Sequence, residues 1–151
     1  MLKASRIKPF LWFDDQAEDA ATLYTSIFPD SEIVQVARYP GDKVITVAFR
    51  LDGQDFVALN GGPKFPFTEA VSFVVECADQ AEIDYYWGRL ASGGGKPVQC
   101  GWLKDRYGLS WQVVPKDIGQ YFKDARVAER VMKAIMPMVK LDLAAIEEAA
   151  R

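Results

Sequence analysis

The tetrapeptide DQAE occurs twice, at residues 15–18 and 79–82, each time following an apolar run and opening a helical pattern. Four matching residues alone carry little weight. The order around them is more telling, because strand, helix and three further strands succeed one another in both places. The chain therefore reads as an internal duplication. In the first copy, residues 7–60, IKPFLWF over 7–13 reads as a strand. A helix over 14–28 follows, with Asp14 or Asp15 as N-cap and Ala20, Leu23, Tyr24 and Ile27 along one face. Strands over 32–39, 44–51 and 54–60 complete the module, the last two joined by Asp52-Gly53, a two-residue hairpin signal. Residues 61–69 read as a Gly- and Pro-rich linker. The second copy, residues 70–114, has a strand over 70–77, a helix over 79–91, and short strands over 98–103, at Asp105 and over 109–114. Setting Leu11 against Phe73 and Phe13 against Val75 gives an offset of 62, which leaves Cys77 and Ala78 as an insertion before the second DQAE.

The expected fold is a single α+β domain of two tandem βαβββ modules forming a cupped mixed sheet. Residues 115–151 form a helical extension, with DIGQYFK as a short turn of helix, an amphipathic helix over 125–136, and a last helix behind an Asp142 cap. Such an extension packs over the sheet or forms a subunit contact.

Composition narrows the function. Half of the 151 residues are hydrophobic and about a quarter are charged, as in a folded globular chain. A net charge of −3 without a basic stripe argues against a nucleic-acid partner. Lys and Arg are scattered rather than gathered as a membrane surface requires, and no run approaches the length of a membrane span. The stretch MLKASRIKPFLWFDD meets acids at Asp14 without a small-residue cleavage site, so a cytoplasmic protein is expected. Cys77 and Cys100 are too few for a disulfide scaffold and read as buried free thiols. Histidine is absent altogether, which removes the commonest metal ligand and the commonest general base together.

The stretches KPFLWFDDQAEDAATLYTSIFPDS, ALNGGPKFPF, VSFVVEC and GWLKDRYGLSWQVVP, together with RVMKAIMPMVKLDLAAIEEA near the C-terminus, resemble the PhnB-like family, also labelled 3-demethylubiquinone-9 3-methyltransferase-like. This family lies within the vicinal-oxygen-chelate superfamily of glyoxalase I and the bleomycin-resistance proteins. The resemblance implies a glyoxalase/bleomycin-resistance-like fold and a homodimer. It also implies that metal-dependent relatives draw two ligands from each module, one on the first strand and one on the last. The duplication places those positions at Lys8, Val57, Ala70 and Gln112. A divalent cation favours imidazole or carboxylate donors. A lysine repels it, valine and alanine offer nothing, and Gln112 alone supplies a neutral oxygen. The neighbours on the same faces, Phe10, Trp12, Leu59, Ser72, Val74, Ser110 and Val114, include no acid. No metal and no other cofactor are therefore expected.

Other motifs have plainer explanations. SGGGKPV lacks the spacing of a phosphate loop, having Leu90 and Pro97 where that motif needs Gly and Ser or Thr, and reads as a helix end. The cysteines lack a histidine partner for nucleophilic work. Glu76, an acid at a strand end, is better suited to rim hydrogen bonding than to proton abstraction. Lys8 is read as reaching the rim rather than buried with a lowered pKa, and Asn60 as turn chemistry first. The candidate ligand pocket is thus Lys8, Phe10, Trp12, Val57, Leu59, Ser72, Ser110 and Gln112, an apolar cup with a few polar points.

Two functions follow as expectations. One is metal-free binding of a small molecule, for sequestration or sensing. The other is an enzyme of the same fold: a lyase, isomerase or dioxygenase with a metal site elsewhere, a catalyst acting through Lys8, Gln112 and Glu76, or a methyltransferase as the family label implies. No glycine-rich turn of the kind that holds a methyl donor follows any strand. A filled cup serving only in assembly is the third possibility.

Overall fold

The computed structural model describes residues 6–151, so the first five residues of the N-terminal stretch considered above lie outside the described residues. The chain divides into two compact units, the first ending at Phe67 and the second running from Thr68 to Arg151, with the boundary inside the Gly/Pro-rich segment.

In the first unit, β1 (Phe10–Phe13) leads into α1 (Ala17–Ile27), followed by β2 (Glu32–Arg38), β3 (Val44–Leu51) and β4 (Gln54–Asn60). The sheet order is β1-β4-β3-β2, with β1 parallel to β4 and the remaining pairs antiparallel. Alternation assigns the two faces. Leu11, Phe13, Val47, Phe49, Leu51, Phe56 and Ala58 are buried, as are Ala17, Ala20, Ala21, Tyr24 and Ile27 of α1, which form the helix side of this core. The expected acidic N-cap of α1 is corrected. Gln16 holds that position without a side-chain cap bond, and the Ala17 amide donates instead to Asn60 Oδ1 at 2.8 Å. A side chain from the end of β4 thus satisfies a helix amide that local chemistry leaves open.

The second unit repeats the order: β5 (Ser72–Cys77), α2 (Gln80–Ala91), β6 (Lys96–Pro97), β7 (Trp102–Lys104) and β8 (Ser110–Pro115), in the sheet order β5-β8-β7-β6. Here Asp79, read from sequence as the first helical residue, is instead the N-cap, accepting from the Glu82 amide at 2.9 Å. Of the strand expected over 98–103, only Trp102 and Leu103 are extended, in β7; residues 98–101 form a turn between β6 and β7. Cys100 and Gly101 have φ of 62° and 82°, and their amides donate to the carbonyls of Met138 and Val139, each at 2.8 Å. A short 3-10 helix (Ile118–Phe122), α3 (Ala125–Ile135) and α4 (Leu143–Ala150) follow, with Asp142 capping α4 as expected. Val131, Ile135, Leu141 and Ile146 form a buried cluster with Val114 of β8, so this extension packs on its own sheet. Gln80 ties it to α2, donating to the Leu141 carbonyl and accepting from the Leu143 amide. Among the described residues no helix is long and apolar enough to cross a membrane.

The strand register revises the repeat offset. Phe10 pairs with Val57 and Val74 pairs with Gln112, while Val57 and Gln112 are matched through Gly53 and Gly108. Phe10 therefore corresponds to Val74, an offset of 64, which is also the spacing of the two DQAE segments and needs no insertion. The position corresponding to Lys8 is Ser72, not Ala70. A pattern of period two is unchanged by a slip of two residues, which is why alternation alone missed it.

Candidate functional site

Each sheet has one face turned away from its helix, and each is described here within its own unit. In the first, registered neighbours give two rows, Phe10–Val57–Ala48 and Trp12–Leu59–Thr46. Phe10 is 59% exposed, whereas Trp12, Val57 and Leu59 are half-buried. The segment after β4 folds back on this face. Trp12 Nε1 donates to the Gly62 carbonyl at 2.8 Å, and Phe65 meets the indole edge-on at 4.9 Å between centroids. Gly61 permits the approach, because a Cβ there would stand 2.4 Å from the indole ring. Lys64 lies over the Phe65 ring at 5.3 Å. Beyond this apolar surface, Arg50 pairs with Asp55 and Glu32 at the sheet's end. Lys8 is exposed, just ahead of β1, in keeping with a rim position.

In the second unit the open face carries the rows Ser72–Ser110–Lys104 and Val74–Gln112–Trp102, with Glu76 beside Val114 in the next. Gln112 Nε2 donates to Ser72 Oγ at 2.9 Å, so the two polar residues at the ends of the duplicated pattern meet. Ser110 is buried, and Lys104 pairs with Glu69. The hydrogen bond from Lys104 holds the Glu69 carboxyl below its ordinary range. Glu76 and Val74 are exposed. Val114 is covered by the C-terminal cluster, which removes it from any pocket.

Asp105 organises the turn that delivers this strand. Its Oδ1 accepts from the amides of Tyr107 and Leu109 at 2.8 and 3.1 Å, and its Oδ2 accepts from Trp111 Nε1 at 2.9 Å. Trp111 is thereby held on the helix side, tilted against Phe73, and Gln112 is turned to the open face. The sequence reading took Asp105 for a strand fragment; the signal that would have revealed its role is DxxG ahead of an alternating run, an Asx-type turn. Lys104 and Glu69 were also missed, since nothing local announces their pairing. Cys77 is buried, and that burial pushes its thiol up to about 12, which disfavours the thiolate.

The sequence-predicted pocket residues thus fall into two groups, Phe10, Trp12, Val57 and Leu59 on one sheet and Ser72, Ser110 and Gln112 on the other. No three His, Cys, Asp or Glu residues gather as a metal site among the described residues. The duplicated first- and last-strand positions hold Lys8 and Val57 in one unit and Ser72 and Gln112 in the other, a set that does not fit a divalent cation.

This architecture and these motifs agree with the family comparison. The model of the 3-demethylubiquinone-9 3-methyltransferase family matches residues 5–114. The chain belongs to that family. The PhnB protein of Bacillus cereus is 37% identical and superimposes with a TM-score of 0.67 over 73% of this chain and 99% of its own. At the level of fold, PA1353 of Pseudomonas aeruginosa is similar at 18% identity and TM-score 0.60, covering 76% of this chain and all of its own. The fosfomycin resistance protein FosX of Listeria monocytogenes, solved with Mn(II) and sulfate, is similar at 16% identity and TM-score 0.56, covering 81% and 98%. These neighbours place the PhnB-like chain in the glyoxalase/bleomycin-resistance fold. No curated protein matches it.

Proposed function

We propose that this PhnB-like chain binds a small organic molecule on its open sheet faces and does so without a metal ion. The Gln112–Ser72 hydrogen bond carries the reading. Two neutral side chains engage each other where the superfamily resemblance looks for metal donors, and Val74 and Trp102 flank them with apolar surface. The aromatic group of Phe10, Trp12 and Phe65 in the first unit supports it, because these rings remain partly accessible although each is large and apolar. Methyl transfer gains little support. The connection from β1 to α1 is Asp14-Asp15-Gln16 and that from β5 to α2 is Ala78-Asp79, neither with the glycines that bring a backbone close to a nucleotide-like donor. Residence in the cytoplasm and assembly as a homodimer belong to the same proposal. The competing reading is a metal-dependent enzyme, favoured by the Mn(II) complex of the fold relative FosX.

Native mass spectrometry of protein purified without chelators tests the proposal. A dimer, bare or carrying an organic adduct, is the expected result. Stoichiometric zinc, nickel or manganese that survives desalting overturns it.

A further inference from the structure

Among the described residues, Ser110 Oγ is a buried side-chain oxygen without a hydrogen-bond partner. Buried hydroxyls almost always find one, because an unpaired polar group has lost its water and gained nothing in return. The register shows what lies around it. Ser110 stands between Ser72 on β5 and Lys104 on β7, and directly opposed residues share a face. Lys104 forms an ion pair with Glu69, which stands just ahead of β5 on the other side of β8. The pair therefore joins β7 to the segment ahead of β5, with Ser110 on the strand between them.

We propose that this row is a carboxylate subsite kept closed by Glu69. The Glu69 carboxylate takes the place of a ligand carboxylate, which on binding displaces it and engages the Lys104 ammonium and the hydroxyls of Ser110 and Ser72. The next row, with exposed Val74 and half-buried Trp102, adjoins these donors and suits an apolar or aromatic body. The ligand class is thus a small organic acid with an apolar end. The closing pair is weak enough to open. Its side chains are 35% and 59% accessible, and an exposed ion pair contributes at most about a fivefold factor in an equilibrium. The inference rests on the binding reading above and names the ligand class of the same face.

The test is an NMR titration of the full chain with benzoate and with its neutral counterpart, benzyl alcohol. It follows the Gln112 side-chain amide, the Trp102 indole N–H and the Ser110 backbone amide in the wild type, Glu69→Gln and Lys104→Met. Both substitutions preserve side-chain size at partly exposed positions, and amide dispersion confirms that each variant is folded. Benzoate is expected to shift all three signals, to bind up to about fivefold more tightly in Glu69→Gln, and to bind up to about fivefold more weakly in Lys104→Met. Benzyl alcohol is expected to ignore both substitutions. Benzoate binding that survives Lys104→Met unchanged, or that weakens in Glu69→Gln, overturns the carboxylate subsite. A face that responds to benzyl alcohol and not to benzoate overturns the subsite alone. Silence toward both probes in the wild type and Glu69→Gln overturns the binding face with it.

Discussion

Asp105→Asn probes the turn on which the second unit's open face depends. The substitution keeps the shape of the side chain. With Oδ1 still accepting from the Tyr107 and Leu109 amides, the new NH2 group must face the Trp111 indole N–H, donor against donor. The charged hydrogen bond to the indole, worth about 1.5–3 kcal/mol, is lost and a buried donor is left facing another. Removing a desolvated charge offsets part of this. The expected net loss is about 1–3 kcal/mol, read as a lower urea midpoint at unchanged slope and a melting temperature lower by about 2–4 °C per kcal/mol. Trp111→Phe removes the indole N–H, so the double variant should lose less than the sum of the two single losses, by about 1 kcal/mol. An Asp105→Asn protein within about 0.5 kcal/mol of wild type, or a double variant additive within about 0.3 kcal/mol, refutes this account of the turn.

The pH dependence has a definite sign. Hydrogen bonds from Lys104 and Lys140 hold Glu69 and Asp84 below their ordinary values, so their stabilising effect is complete above the unfolded carboxylate range near pH 4 and fades as pH falls through the folded values. Both groups are exposed, and chemical denaturation should show only a slight decline, confined below about pH 4, with the Asp84 share reduced in Lys140→Met, where Gln80 still donates to that carboxylate. Native alkylation followed by peptide mass mapping should label half-exposed Cys100 and spare Cys77, whose thiol is pushed up to about 12 by burial. Gly101→Ala should destabilise by about 1–3 kcal/mol in urea, since its Cβ would lie 2.9 Å from Leu141 Cγ at a φ of +82°.

Much of the architecture is legible in the sequence because it rests on local signals. The Asp52-Gly53 hairpin, the cap at Asp142 and the apolar stripe of α1 each state their structure within a few residues. What escaped depends on distant partners. Asn60 serves an amide at Ala17, the Cys100–Gly101 turn is shaped by Met138 and Val139, and Lys104 finds Glu69 across an intervening strand. The candidate positions show the same division. Strand parity assigned Trp12, Val57 and Gln112 to their faces, because parity survives a slip of two. The identity of Lys8's counterpart does not survive such a slip, and only the β5–β8 register reveals it as Ser72.

The two turn amides at Cys100 and Gly101 carry a consequence for synthesis. Every strand pairing of the first sheet closes within residues 10–60, so that sheet can form as soon as β4 clears the ribosome. The second sheet has no such freedom. The bend that positions β7, and with it Lys104 and Trp102, is completed by carbonyls at Met138 and Val139, and the side chain of Val114 waits for Ile146 to cover it. A nascent chain halted just after β8 would hold a finished first half beside a second half with unpaired amides and a bare apolar edge. That intermediate is the one a chaperone would need to shield.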